Sequence, residues 1–394
     1  MRQSARVIVF NGDESYSPIL RADLLRIPGV QIVAELEELG LLQQAVAQFP
    51  AEALVIHLDP VPDVVLPVAA EIARHHPNLA VIVVSESTEG QYVLTALRAG
   101  IKELLTTLDE PEAFQAALAK IVEHSEASTE LGSLVSVIGT IGGVGASMMS
   151  VNLATEIADL ENKHPLAVVD LDFRYGQLGT MLDLQADYTI ADLADTPEQL
   201  DSAIVNKAMV KHSSGVHLLA RPNTFAQADQ ITAAHCASVL GALQQMYEYV
   251  VVDGPNRFDS GGSSIIDMSE QTLIMNQLLV TSVRNCYRML EELREGGYNL
   301  DRFRFVCNRI GLESGHLALG HVENTLNRKF DHQIPDDWKT VSGSINVGQP
   351  LLECAPKSAV RGAIQAIAKS IAEPGGENEE DADAKAGLLG KIFS

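Results

Sequence analysis

Short apolar segments alternate with stretches of helical length along most of this chain, and this alternation constrains the fold more than any other feature. The first candidate strands are Val7–Phe10, Gln31–Ala34, Ala53–His57, Ala80–Ser85 and Leu104–Leu105. Amphipathic stretches between or after them are Leu39–Gln48, Val64–His75 and Pro111–His124. Strands separated by helices pair in parallel and bury both faces of their sheet. Residues 1–124 therefore predict an α/β domain with a five-stranded parallel sheet.

A second series of the same kind follows a polar stretch. The candidate strands are Leu134–Ile138, Ala167–Val169, Val216–Leu219, Val250–Val252, Thr272–Met275 and Phe303–Cys307. The last predicted helix is Ala359–Ala372. The predicted fold class is thus α/β with two doubly wound parallel-sheet domains, at residues 1–124 and 133–373. Residues 125–132 form the predicted linker, and an acidic linker with a short amphipathic tail occupies residues 374–394.

Composition excludes several functional classes. The formal net charge of −24 argues against nucleic acid as a partner, because binding a phosphate backbone requires cationic neutralisation. No apolar run reaches membrane-spanning length, and the N-terminus leads directly into a strand without a signal peptide, so we expect a cytoplasmic protein. The four cysteines are widely spaced, which argues against disulfides or a zinc site.

A glycine-rich loop joins the first strand of the second series to a helix. Such a loop lets backbone N–H groups and a helix N-terminus surround a phosphate. Ser147 stands where a hydroxyl would ligate a magnesium ion that bridges the phosphates. The candidate nucleotide-binding residues in the loop are Gly142, Gly143, Val144, Gly145, Ala146, Ser147 and Met148. The alternative is a loop that only turns tightly between strand and helix.

Aspartates end two of the later strands. Asp170 and Asp172 follow one strand, and Asp253 follows another. Because parallel strands present their C-terminal ends at one crevice, these carboxylates should lie around the loop. Ser147, Asp172 and Asp253 are the predicted magnesium ligands, with ATP and magnesium as the predicted cofactors, and Asp172 is the candidate catalytic residue. The alternative role for the aspartates is helix capping.

Several segments together carry a family resemblance. Residues 138–147 followed by Val151–Ala154 resemble the deviant Walker A motif, K-G-G-x-G-K-[ST], of the ParA/MinD ATPases. Val169–Phe173 with Gly176 is similar to the switch I region of that family, and Val251–Pro255 to its switch II. The segment containing Asn308 and Arg309 resembles the adenine-binding segment, so these two residues join the candidate nucleotide site.

Segments near the C-terminus point to one branch of that family. Ile334–Asp337, Gly348–Leu351 and Pro356–Ser358 resemble the closing part of the TadZ/CpaE pilus-assembly proteins. That branch places a receiver-like, flavodoxin-like domain before the ATPase domain. The resemblance implies a homodimeric scaffold that recruits the assembly ATPase and other proteins of a Tad pilus or secretion machine, usually at a cell pole. The alternative is a slow ATPase whose nucleotide cycle controls dimerisation and positioning.

The loop departs from the family motif at both lysines. Ile141 replaces the lysine that reaches the phosphates of the partner subunit, and Ala146 replaces the one that holds the phosphates in its own subunit. One well-placed cationic group is worth about 10³ to 10⁵ in phosphoryl-transfer rate. We therefore expect little or no hydrolysis. Backbone donors, the helix dipole and magnesium could still hold ATP, and a purely structural loop is the alternative.

The N-terminal domain shows a parallel loss. The resemblance to receivers aligns Asn11 and Gly12 with the acidic pair, His57 with the phosphoacceptor, Ser85 with the hydroxyl and Thr107 with the lysine. Most of the phosphorylation chemistry is absent, so we expect a docking or dimerising role that does not depend on phosphorylation.

The C-terminal tail contains Leu388, Leu389, Ile392 and Phe393, which would share one helical face with Lys385 and Lys391 at its margin. It predicts peripheral contact with the inner membrane, docking to a partner protein, or a disordered end, and the sequence leaves these open.

Overall fold

The computed structural model contains two α/β domains, each built on its own sheet, so the predicted fold class is confirmed. The structure describes residues 5–13, 15–27, 30–49, 51–77, 79–85, 101, 103–106, 116, 131–160, 165–194, 200, 202–254, 265–296, 298–311 and 317–372. Statements below refer to these residues. Thr107, residues 125–130 of the predicted linker and the tail from 373 onward lie outside them.

The N-terminal sheet has five parallel strands, as predicted, and the structure places them in the order β2-β1-β3-β4-β5. Its strands are β1 (Ala5–Phe10), β2 (Val30–Leu36), β3 (Ala53–His57), β4 (Ala80–Ser85) and β5 (Glu103–Thr106). Its helices are α1 (Ser17–Arg26), α2 (Leu42–Gln48) and α3 (Pro62–His75). All residues of β1, β3 and β4 are buried, because α1 covers one face of the sheet while α2 and α3 cover the other.

The C-terminal sheet has eight strands in the order β13-β12-β11-β6-β10-β7-β9-β8. They are β6 (Ser133–Gly139), β7 (Leu166–Asp170), β8 (Met209–Lys211), β9 (Val216–Leu219), β10 (Tyr249–Asp253), β11 (Gln271–Asn276), β12 (Phe303–Ile310) and β13 (His332–Pro335). The purely parallel prediction was wrong at one edge, where β8 pairs antiparallel with β9. Only one residue of β8 and one of β13 are buried, so neither strand has the apolar run that marks the others.

Helices cover both faces of this sheet. They are α4 (Ala146–Leu160), α5 (Leu178–Met181), α6 (Ile190–Ala194), α7 (Ser202–Ala208), α8 (Phe225–Ala228), α9 (Ala233–Met246), α10 (Val280–Glu295), α11 (Leu319–Leu326), α12 (Trp338–Val347), α13 (Leu351–Cys354) and α14 (Ala359–Ala372). Helices α4 and α14 share an apolar core with the inner strands. This packing fixes α4, and with it the loop that precedes α4, against the centre of the sheet. None of the helices described here is long and apolar enough to cross a membrane.

Candidate functional site

The glycine-rich loop lies between the end of β6 and the start of α4, at the edge of the sheet where the parallel strands end. Gly143 and Gly145 have φ values of 75° and 104°, a backbone region that other residues rarely adopt. A side chain on Gly142 or Gly143 would meet nothing within 4 Å at its Cβ position, so the backbone at these two residues is open to a ligand. The loop therefore has the form that phosphate binding requires.

Gly145 is constrained by a second contact. A Cβ atom there would lie 2.5 Å from Nδ2 of Asn308, which is buried and donates a hydrogen bond to the Val144 carbonyl oxygen at 2.8 Å. Asn308, predicted to contact the base, is thus placed where it supports the loop. The resemblance located this residue, and the structure adds the bond that it makes.

Further polar side chains brace the loop from the end of β11 and from α10, and no sequence pattern pointed to them. The Asn285 amide donates to the Thr140 carbonyl at 2.8 Å, and the Gln277 amide donates to the Val144 carbonyl at 3.4 Å. Thr140 also donates through its hydroxyl to the Met275 carbonyl at 3.0 Å. Amides in a sequence carry no pattern that separates such a brace from an ordinary surface residue.

The two residues at the lysine positions serve packing. Ile141 and Ala146 are half-buried and contact the apolar core that contains Val144 and Met148. Met148, also a candidate nucleotide-binding residue, has its side chain buried in this core. The loop offers a ligand backbone N–H groups and the Ser147 hydroxyl, but no cationic side chain of its own.

Asp170 and Asp253 lie side by side at the ends of β7 and β10, where they are register partners. Both are buried, and burial followed by the charge of Asp253 raises the pKa of Asp170 to about 8. Burial also raises the pKa of Asp253 to about 6, although hydrogen bonds from Ser147 and Ser150 oppose the shift. Ser150 donates to Asp253 Oδ1 at 3.0 Å, a contact absent from the sequence prediction.

The chain folds closely over Asp170. A Cβ on Gly176 would lie 1.9 Å from Asp170 Oδ1, so only glycine fits there. The other oxygen, Oδ2, accepts a hydrogen bond from the Leu178 N–H at 3.1 Å. Half-buried Asp172 accepts one from the Tyr175 N–H at 3.0 Å, and its charge raises the pKa of both Asp170 and Asp253. The structure thus brings the predicted serine and aspartates together.

Two of these carboxylates have a buried oxygen that lacks a hydrogen-bond partner among the described residues, namely Asp170 Oδ1 and Asp253 Oδ2. Asp253, the neighbouring Asp172 and the Ser147 hydroxyl form an all-oxygen donor set, which suits magnesium. Asp170, whose pKa burial raises to about 8, keeps its proton and is not one of the ligands. The described residues contain no group of three or more His, Cys, Asp or Glu side chains able to hold a metal ion by themselves. Magnesium commonly takes its remaining ligands from water and phosphate, so the residues fit that ion in a nucleotide complex.

Arg309 and Trp338 close the same edge of the sheet beyond β12 and β13. Arg309 has a φ of 59°, and its guanidinium lies 4.9 Å from the centre of the indole ring. Trp338 is 58% exposed and is the only tryptophan of the chain. Arg309, a predicted site residue, therefore stacks on an exposed aromatic ring, which the sequence did not indicate.

The receiver-like positions of the N-terminal domain also come together. His57 Nδ1 lies 2.8 Å from Asn11 Oδ1, and Nε2 lies 3.6 Å from Asp59. The His57 ring packs 4.2 Å from that of Tyr16, between centroids. Ser85 is buried at the end of β4, whereas Gly12 is exposed. A buried imidazole thus occupies the phosphoacceptor position, and Thr107 lies outside the described residues.

Comparison with known proteins finds similarity to one class of ATPases. No family model matches the chain. The septum site-determining protein MinD of Synechocystis is 24% identical over 237 residues, which cover 58% of this chain and 85% of that protein. The chain is thus homologous to the MinD/ParA-class ATPases, and that part of the resemblance is confirmed. The finer TadZ/CpaE assignment and the receiver identity of the N-terminal domain stay predictions.

Solved structures give the same fold. A ParA-family ATPase from Chlorobium tepidum superposes with a TM-score of 0.56 at 22% identity, covering 60% of this chain and 98% of the other. MinD of Pyrococcus horikoshii, solved with Mg-ADP, gives 0.54 at 16% identity, with coverages of 62% and 98%. MinD in the MinC:MinD complex of Aquifex aeolicus gives 0.50 at 21% identity, with coverages of 61% and 96%.

Proposed function

We propose that this protein is a positioning and assembly factor that binds ATP with magnesium through its glycine-rich loop and hydrolyses it little or not at all. One observation carries the proposal. The loop, Ser147 and the strand-end aspartates keep the arrangement of a nucleotide site, while Ile141 and Ala146 pack into the core where cationic groups would be needed.

Each residue has a distinct role in this proposal. The open backbone at Gly142 and Gly143 and the N-terminus of α4 bind the phosphates, and Asn308 and Gln277 hold the loop in shape. Ser147, Asp172 and Asp253 would hold magnesium. When bound, the ion would supply positive charge that offsets the negative charge of the phosphates. Asp170 stays protonated beside Asp253, which limits the negative charge in the site.

Equilibrium dialysis with ATP and magnesium tests this function. We expect the protein to retain ATP at millimolar concentration and the fluorescence of its single tryptophan, Trp338, to change on binding. Phosphate release should equal that of Asp172→Ala, because no cationic side chain in the loop stabilises the transition state. Absence of retained ATP would contradict nucleotide binding, and a rate above the Asp172→Ala background would favour a slow ATPase of the ParA/MinD class.

We further propose that the protein is a TadZ/CpaE-like scaffold of a Tad pilus or secretion machine. The supporting observations are the motif resemblances near residues 334–358 and a receiver-like domain before the P-loop domain, with boundaries at 1–124 and 133–373. On this proposal the chain forms a homodimer, recruits the assembly ATPase and acts at the cytoplasmic side of the inner membrane or at a cell pole. The buried His57 makes the N-terminal domain a docking module that does not depend on phosphorylation.

Co-elution with the assembly ATPase tests the scaffold proposal. We expect the two proteins to elute together in size-exclusion chromatography, with a phosphate-release rate set by the assembly ATPase alone. A variant truncated after residue 384 serves as the matched control, since it removes only the tail. Separate elution of the full-length chain would contradict the recruitment proposal, and loss of co-elution in the truncated variant would assign docking to the tail.

A further inference from the structure

A buried charged cluster joins the two domains at the edge of the C-terminal sheet opposite to the glycine-rich loop. Arg21 of α1 forms ion pairs with Glu35 of its own domain and with Asp267 of the other domain. Its guanidinium also stacks 4.4 Å from the centre of the Tyr298 ring and donates to the Tyr298 hydroxyl. The side chains of Arg21 and Asp267 are only 9% and 5% exposed. We call Arg21, Asp267 and Tyr298 the interdomain latch.

Glu35 and Asp267, the two acidic partners of Arg21, accept or are flanked by further hydrogen bonds from their own domains, while Arg21 Nε has no partner among the described residues. Ser17 donates to Glu35 at 2.6 Å, and Arg302 donates to the Asp267 carbonyl at 3.0 Å and also to the Ser269 carbonyl. One apolar cluster is shared by the two domains. It includes Leu42 of α2 in the N-terminal domain, and Leu240 of α9 with Ile265 and Met268 in the C-terminal domain. A buried ion pair whose partners are this well held stabilises one arrangement, because removing either partner leaves a buried charge.

Two of the latch residues, Asp267 and Tyr298, lie just before the two strands that support the loop. Asp267 precedes β11 and Tyr298 precedes β12, while the C-terminal ends of these strands carry Gln277 and Asn308. Both amides hold the Val144 carbonyl. At about 3.3 Å per residue, β11 spans roughly 20 Å between the latch and the loop. Two packed strands thus connect the N-terminal domain to the loop.

We propose that the interdomain latch sets the rigidity of the glycine-rich loop, so that docking of the N-terminal domain and nucleotide binding are thermodynamically coupled. This coupling depends on the proposed function in one respect, because it takes the glycine-rich loop as the nucleotide site. A loop without lysines depends on ordered backbone N–H groups, and loosening β11 and β12 disorders them. By linkage, nucleotide binding tightens the domain contact by the same factor. A partner that separates the domains weakens nucleotide binding.

Amide hydrogen exchange of the nucleotide-free protein tests this inference. In Arg21→Met/Asp267→Asn we expect exchange of residues 140–147 to accelerate at least about fivefold, the lower range of measured couplings. Arg6→Met/Glu52→Gln is the matched control, since this pair is equally buried at its arginine but lies within the N-terminal domain. Tyr298→Phe, which removes one hydrogen bond and keeps the ring, should give a smaller acceleration in the same residues.

Three outcomes separate the alternatives. Faster exchange in residues 265–268 and 140–147 of the latch variant, with the control unchanged, supports the coupling. Faster exchange in residues 265–268 alone, or equal acceleration in the control, overturns it. If Arg21→Met/Asp267→Asn fails to fold, the exchange of residues 265–268 and 140–147 in Tyr298→Phe is compared with the control variant instead. ATP retention is measured separately on the wild type, so its absence contradicts the proposed function while the exchange result still decides the coupling.

Discussion

Replacing Ala146 with lysine is expected to tighten MgATP binding about tenfold to a hundredfold, since one charge-assisted hydrogen bond contributes about 1.5 to 3 kcal/mol. Ala146 is the first residue of α4 and is half-buried beside the loop. A lysine there places its ammonium near the phosphates that the backbone N–H groups bind. Dialysis or Trp338 fluorescence measures the change against the wild type.

Ala146→Met is the matched control for this variant, because its side chain is long and flexible but uncharged. We expect the methionine variant to bind MgATP as the wild type does. Equal affinities of the lysine and methionine variants would mean that the loop does not hold phosphates.

Adding Ile141→Lys to Ala146→Lys should raise phosphate release by about 10³. The family resemblance implies that a lysine at position 141 reaches the phosphates of a partner subunit, so this rate should increase with protein concentration. The double variant Ile141→Met/Ala146→Lys is the control, because Ile141 contacts the core and its replacement alone alters packing. It shows how much of the rate increase comes from the charge of the lysine at position 141. A gain that persists at dilutions where the protein elutes as a monomer would contradict a role of the partner subunit.

The sequence located most strands because parallel strands buried on both faces are continuous apolar runs. It also located Asp253 and Asp170, since the ends of such strands share one edge of the sheet. It missed β8 and β13, which each have a single buried residue. The predictable part of the fold is therefore the part where burial leaves a periodic pattern.

Contacts between distant residues left no such pattern. Arg21 and Asp267 are 246 residues apart, and each alone resembles an ordinary surface charge. The amide braces at Asn285 of α10 and at Gln277 after β11 are likewise recognisable only once the fold places them beside the loop. The sequence could indicate which residues a nucleotide would meet, but not which residues hold them in place.

Replacing Asp170 with asparagine is expected to stabilise the nucleotide-free protein at pH 8 and to change its stability little near pH 4. The folded state keeps a proton on Asp170 up to its pKa of about 8, while the unfolded chain releases it near the ordinary value of 3.8. The contribution of Asp170 to the free energy of unfolding therefore falls as pH rises from about 4 to about 8. An asparagine cannot ionise, so the fall disappears. The gain at pH 8 should be on the order of a few kcal/mol.

Thermal unfolding of both proteins across this pH range measures the effect, with an expected rise in Tm of roughly 4 to 10 °C at pH 8. The lowered pKa values of His217 and His332 destabilise the fold only at lower pH and equally in both proteins, so the difference between the two isolates Asp170. Asp159→Asn, at an exposed position of α4, serves as the control, because the charge of Asp172 itself contributes to the raised pKa of Asp170. If the difference in Tm between wild type and Asp170→Asn did not depend on pH, Asp170 would already be ionised in the folded protein. The negative charges of Asp170 and Asp253 would then need magnesium to balance them even without nucleotide.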